Sequence, residues 1–209
     1  MIEEIINYTR NGILLAALVV AIRFWKYYKN TSERYFLHFL AYNAFTEFLG
    51  WGFKDMFGME NYILYNIYMI VSFLFYLYWF QRILKNKLLV YLLTAFFMIA
   101  ALYSTVAENA FEALFNYAFI AGIICIISLT LYYFIRALQS EQITIFLKDS
   151  KFWIVTGLFL FHLGFLPTLL LQGKLDIFGI RYYSVITFLN TVLYGCYIKA
   201  FLCSKSVKE

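Results

Sequence analysis

LLVYLLTAFFMIAALYSTV, Leu88 to Val106, runs for nineteen residues without a charge or a proline. At ~1.5 Å per residue, a helix of that length spans the roughly 30 Å hydrocarbon layer of a bilayer. The run lacks the strict apolar–polar alternation of a transmembrane barrel strand. Backbone amides in lipid must find partners within their own segment, so the solution is a helix. Six further apolar runs flank it at 11–28, 35–53, 61–80, 114–135, 152–171 and 182–201, each bounded by charges or turn residues. The expected fold class is an all-α membrane protein of seven transmembrane helices. They form one domain over residues 1–209, with no soluble domain.

Composition agrees. Of the 209 residues 64% are apolar and 14% charged, against 45–50% and about 25% in soluble domains, and the mean hydropathy is +0.74. Seven spans of roughly 20 residues need about 140, which leaves about 69 of the 209 for tails and six loops. That excludes a soluble enzyme and a nucleic-acid-binding domain. The net charge of +5 then reads as a topology signal. Cys125, Cys196 and Cys203 lie in apolar stretches or at a helix end and are expected to be buried thiols. Two histidines and no Cys-x-x-Cys leave no zinc cluster to expect. Glu3 and Glu4 stand where the basic region of a cleavable signal peptide would be, so none is expected.

Lysine and arginine placement sets an orientation. Thirteen of the 17 fall on one side of a seven-span chain, from Arg23, Lys26, Lys29 and Arg34 to Lys199, Lys205 and Lys208. Arg10, Lys54, Lys174 and Arg181 fall on the other. The positive-inside rule makes the thirteen cytoplasmic, with the N-terminus outside and the C-terminus inside. Aromatic clusters at Phe24–Tyr28, Tyr76–Trp79 and Phe152-Trp153 mark the cytoplasmic ends as interfacial anchors. The longest connection, 136–151, is polar with an apolar Ile143–Leu147 piece suited to the membrane surface. One internal similarity stands out: Asp55-x-Phe57-Gly58 recurs as Asp176-x-Phe178-Gly179, in register through Tyr76/Tyr197 and Phe80/Phe201. Two readings stay open: a 3+1+3 parallel repeat, as in some transporters, or two outer turns built from the same turn-forming residues.

Polar groups at membrane depth are the candidate site, because a charge there costs at least ~2.5–3.5 kcal/mol on insertion scales. Glu47 lies about twelve residues into the second run, roughly 18 Å from its inner end. Asn43 is one turn earlier on the same face. Asn190 in the seventh run lies at matching depth, flanked by Thr187 and Tyr194, and His162 in the sixth is close to that level. Asn66 sits nearer the outside. One reading makes these a ligand or proton pocket, with Glu47 protonated or paired with His162. The other makes them interhelical hydrogen-bond glue. Pro167, the one proline, lies three residues past Gly164 and predicts a kink or gate in the sixth helix. Gly50-Trp51-Gly52 loosens the outer end of the second, unless these glycines serve close packing.

Catalytic patterns are missing: there is no H-E-x-x-H, no G-x-S-x-G, no phosphate loop and no second carboxylate at depth to pair with Glu47. Neither catalytic residues nor a metal or cofactor is expected. A retinal-binding opsin needs a lysine midway along the seventh helix, whereas Lys199 is near its end. Sugar transporters of the SWEET and PQ-loop type share the helix number, but their several prolines and Pro-Gln pair are not present.

Tyr65-Asn66-Ile67-Tyr68, Phe152-Trp153 with Gly157, Gly164 and Pro167, and Asn190 with Leu193-Tyr194-Gly195-Cys196-Tyr197-Ile198 together resemble a group of small uncharacterised seven-helix membrane proteins of Gram-negative bacteria. Some of these are encoded near sensor kinases. The resemblance implies an inner-membrane location and a signalling context, and it carries over no ligand or catalytic residue. The leading expectation is a receptor or signal-transducing helical bundle that senses a small molecule or lipid. It would act through a cytoplasmic or membrane partner. A small-solute or proton-coupled transporter is the alternative, and an oligomeric pore or structural subunit the third. The lipid bilayer is the expected surrounding, homo-oligomers are allowed, and nucleic acid is not a partner.

Overall fold

The computed structural model describes residues 2–57, 61–139, 147–170 and 180–206, and every regular element among them is an α-helix. These are α1 (Ile2–Tyr28), α2 (Arg34–Phe57), α3 (Tyr62–Ile83), α4 (Lys87–Ala107), α5 (Asn116–Leu138), α6 (Ser150–Leu170) and α7 (Ile180–Ser206). Each coincides with one apolar run. α1 starts nine residues before its run, and α5 starts two residues late because Phe115 is held in the preceding turn. The sequence supplies the helix starts: Asn86 Oδ1 accepts from Leu89 N (3.2 Å) at α4, and Asp149 Oδ1 from Lys151 N (3.0 Å) at α6.

Five of the helices, α3 to α7, are long and apolar enough to cross a membrane. The other two hold much of the polar content: Arg10, Arg23 and Lys26 in α1, and His38, Asn43, Glu47, Lys54 and Asp55 in α2. Burial along α4 is what lipid requires. Its buried residues, Val90, Phe97, Ala101 and Ser104, form one narrow stripe, while Ile99 (68%) and Val106 (88%) stand exposed. In water such apolar faces would be a large liability; in hydrocarbon they cost nothing. The protein is membrane-embedded and multi-pass.

The described residues form two compact units, a central one within 41–129 and a terminal one within 1–40 and 130–209. The division runs through α2 after Leu40 and through α5 after Leu129. Gly58 and the segment 176–179 of the internal similarity lie outside the described residues. So does most of the surface piece expected at Ile143–Leu147.

In the terminal unit, α1 and α6 both pack on α7. Gly157 lets α6 approach closely, since a Cβ there would stand 2.8 Å from Cys196 Cβ and 3.2 Å from the Leu193 carbonyl. Tyr28 closes α1 onto α7, its ring 4.9 Å from Phe201 and its hydroxyl donating to Ala21 O at 2.6 Å. In the central unit, Phe73 of α3 lies between Phe97 (5.4 Å) and Phe119 (5.9 Å). Its ring also fills the space that a side chain at Gly122 of α5 would need.

Candidate functional site

The polar residues expected at depth divide between the units. Asn43, Glu47 and Asn66 belong to the central unit, and His162, Thr187, Asn190 and Tyr194 to the terminal one. On α2, Asn43 is 3% exposed, and its Oδ1 is buried without a hydrogen-bond partner. Glu47, one turn further on, is half-buried, and Thr46 beside it is buried. Tyr42 stacks on Tyr68 of α3 with ring centroids 5.8 Å apart. An amide oxygen and a carboxyl group thus lie one turn apart on α2. A buried acceptor left unpaired is costly, on the order of 1–3 kcal/mol, which makes Asn43 the side chain here with most to gain from a hydrogen-bond donor.

Asn66 has a different environment. Its Nδ2 donates to Ala110 O (3.2 Å) and Ala113 O (2.9 Å), and its Oδ1 accepts from Phe115 N (2.9 Å). Three of the four hydrogen bonds an amide can make are thus spent on the backbone of the α4–α5 turn. Two more side chains bind the first turn of α5: Glu108 Oε1 accepts from Asn116 N (2.9 Å), and Ser104 Oγ from Ala118 N (3.0 Å). These are partners from 8 to 49 residues away in the chain, and no local pattern announces the long ones.

In the terminal unit His162 is 3% exposed, and its Nδ1 meets Leu158 O at 2.7 Å. A carbonyl only accepts, so Nδ1 carries the proton in that contact. Gly157 faces Leu193 and Cys196, and Gly164 faces Leu189. That register puts His162 level with the stretch of α7 that contains Asn190. Asn190 Nδ2 donates to its own helix at Ile186 O (2.9 Å), and the Thr187 carbonyl accepts from Thr191 Oγ1 (2.8 Å). Tyr194 is buried with its ring edge-on to Tyr197 at 6.0 Å.

No protein-family model, no curated protein and no solved structure matches this chain.

Glycine and proline positions expected to loosen the helices lie within continuous helix. α6 runs unbroken through Pro167, and the Thr168 hydroxyl donates to Gly164 O (3.2 Å) within the turn that lost an amide. A Cβ on Gly164 would meet Leu189 Cδ2 at 2.5 Å, so this glycine serves the α6–α7 contact. α2 likewise continues through Gly50 and Gly52. Gly50 O accepts from Asn61 Nδ2 (3.1 Å), and the Tyr65 phenol occupies the place of a side chain at Gly50. A shallow groove of about 370 Å³ between α4 and α5 is lined by Phe96, Ile99, Tyr103, Tyr117 and other apolar residues, and none of the seven polar candidates borders it.

Sequence reasoning overlooked Glu33. In the α1–α2 turn it is 1% exposed, and its Oε1 has no hydrogen-bond partner. A carboxylate between Ser32 and Arg34 reads as a solvated loop residue, and only the tertiary fold buries it. Cys125 and Cys203 are buried and Cys196 half-buried, all as free thiols. Among the described residues no three His, Cys, Asp or Glu side chains gather as metal ligands.

Proposed function

We propose that this protein is a receptor in a bacterial inner membrane, which senses a small molecule or lipid through α2 and passes the change to a cytoplasmic or membrane signalling partner. The observation that carries this reading is the buried, unpaired Oδ1 of Asn43, one turn from the Glu47 carboxyl. A ligand bearing a hydroxyl, amide or ammonium donor would satisfy that buried oxygen. Because the bound state pairs the Asn43 oxygen, ligand would shift the helix arrangement by the difference in affinity between two conformations. The distribution of lysine and arginine supports an external N-terminus and a cytoplasmic C-terminus.

The test is a thermal-shift screen of the full chain in lipid nanodiscs, followed by flux assays in proteoliposomes. A receptor should be stabilised by its ligand without solute flux, with the shift lost in Asn43→Leu and Glu47→Gln. Finding no stabilising compound, together with an Asn43→Leu variant that is merely more stable, would remove the reading. Proton-coupled or small-solute transport is the second reading. The division into two compact units, each with its own buried polar side chains, favours it. Saturable flux that disappears in Glu47→Gln would select it.

A further inference from the structure

One end of the terminal unit gathers five helix ends. Tyr28 on Phe201 joins the ends of α1 and α7, and Phe36 on Tyr197 (5.2 Å) brings in the start of α2. Lys199 over Trp153 adds the start of α6, and Phe134 on Phe152 (5.9 Å) adds the last turns of α5. Four cations at this end lie over aromatic rings. Lys26 Nζ is 4.8 Å from the Tyr27 centroid, and Lys199 Nζ is 5.7 Å from that of Trp153. The Arg34 guanidinium is 4.7 Å from the Tyr35 ring, and its Nη2 donates to that phenol at 2.7 Å. Arg136 repeats the arrangement on Tyr132, at 5.4 Å with Nε donating at 3.1 Å.

All four cations are exposed, as are Arg23, Lys29 and Lys148. The carboxylates are withdrawn: Glu33 is buried, and Asp149 is half-buried and caps α6. Among the described residues, every exposed charge at this end is therefore positive. Stacking on rings at the ends of apolar helices holds these charges at headgroup depth, where the phosphates of a bilayer lie. Phenol contacts use part of each arginine fork and leave donors that match a phosphate oxygen pair.

We propose that this end of the terminal unit is a docking surface for the phosphodiester headgroups of anionic phospholipids, with Arg34 and Arg136 as its principal contacts. The proposal is independent of what α2 senses. An acidic protein segment is the competing occupant; headgroup depth favours lipid.

The experiment places the full chain in nanodiscs of phosphatidylcholine with a minor fraction of phosphatidylglycerol and measures the lipids retained on release. Phosphatidylglycerol should be enriched over its bulk fraction, less so at high salt, and about fivefold less for each charge removed in Arg34→Gln/Arg136→Gln. Arg34→Lys/Arg136→Lys should keep most of the enrichment. Lys26→Gln/Lys199→Gln offers a second pair should the arginine variant fail to fold, and it should weaken enrichment in the same way. No enrichment in the native chain, or enrichment in both glutamine variants equal to that of the native chain, overturns the proposal. Binding of a polyglutamate peptide that phosphatidylglycerol does not displace also overturns it.

Discussion

Asn66 illustrates how little a residue's type says about its task inside a membrane. At depth in a tyrosine-rich helix it reads either as a ligand contact or as hydrogen-bond glue, and its amide is fastened to Ala110, Ala113 and Phe115. Deleting it strands two carbonyls and an amide in a turn with few substitutes. At about 0.5–1.5 kcal/mol per hydrogen bond, Asn66→Ala should cost about 2–4 kcal/mol. Asn66→Asp should cost more, since a carboxylate would face two carbonyl oxygens. Denaturation of both variants in the same nanodiscs, read against ligand binding, separates this holding role from a sensory one. Asn43 is the contrasting case: an amide of the same kind, buried as deeply, whose oxygen receives no bond.

Among the elements, the α6–α7 contact depends on two glycines that the sequence marks only as small. At Gly157 the obstacles to a methyl group are Cys196 Cβ and the Leu193 carbonyl, which cannot swing aside. Gly157→Ala should therefore force the helices apart and cost about 1–3 kcal/mol. Gly195 has nothing within 4 Å of its Cβ position and is exposed. Gly195→Ala should instead gain about 0.5–1 kcal/mol through helix propensity. Thermal unfolding of the pair is a direct check on the register of α6 against α7. Existence and extent of the helices were legible beforehand because apolar runs of span length admit one backbone solution in lipid. Which face of each turns inward was not. The narrow stripe Val90, Phe97, Ala101 and Ser104 lies in a run that is apolar all round, so periodicity had nothing to distinguish.

For the molecule as a whole, the uneven distribution of lysine and arginine carries a topology prediction. A periplasm-active reporter such as alkaline phosphatase fused after residue 209 should stay inactive, and a reporter at the N-terminus should be accessible from outside. Both ends in one compartment would require an even number of spans. The sequence alone determined that this chain lives in a bilayer as helices, because 64% apolar residues in runs of span length leave water no acceptable fold. It also located nearly all the polar residues that needed an explanation, since charge and amide groups are conspicuous against hydrocarbon. What those groups do was decided by tertiary structure. A hydrogen bond from Asn66 to a turn 44–49 residues away, the burial of Glu33, and the unpaired oxygen of Asn43 all depend on which helices become neighbours. In lipid every apolar face is equally comfortable outward, so composition says that a helix forms, and only side-chain packing selects the face it buries and the partners its polar atoms meet.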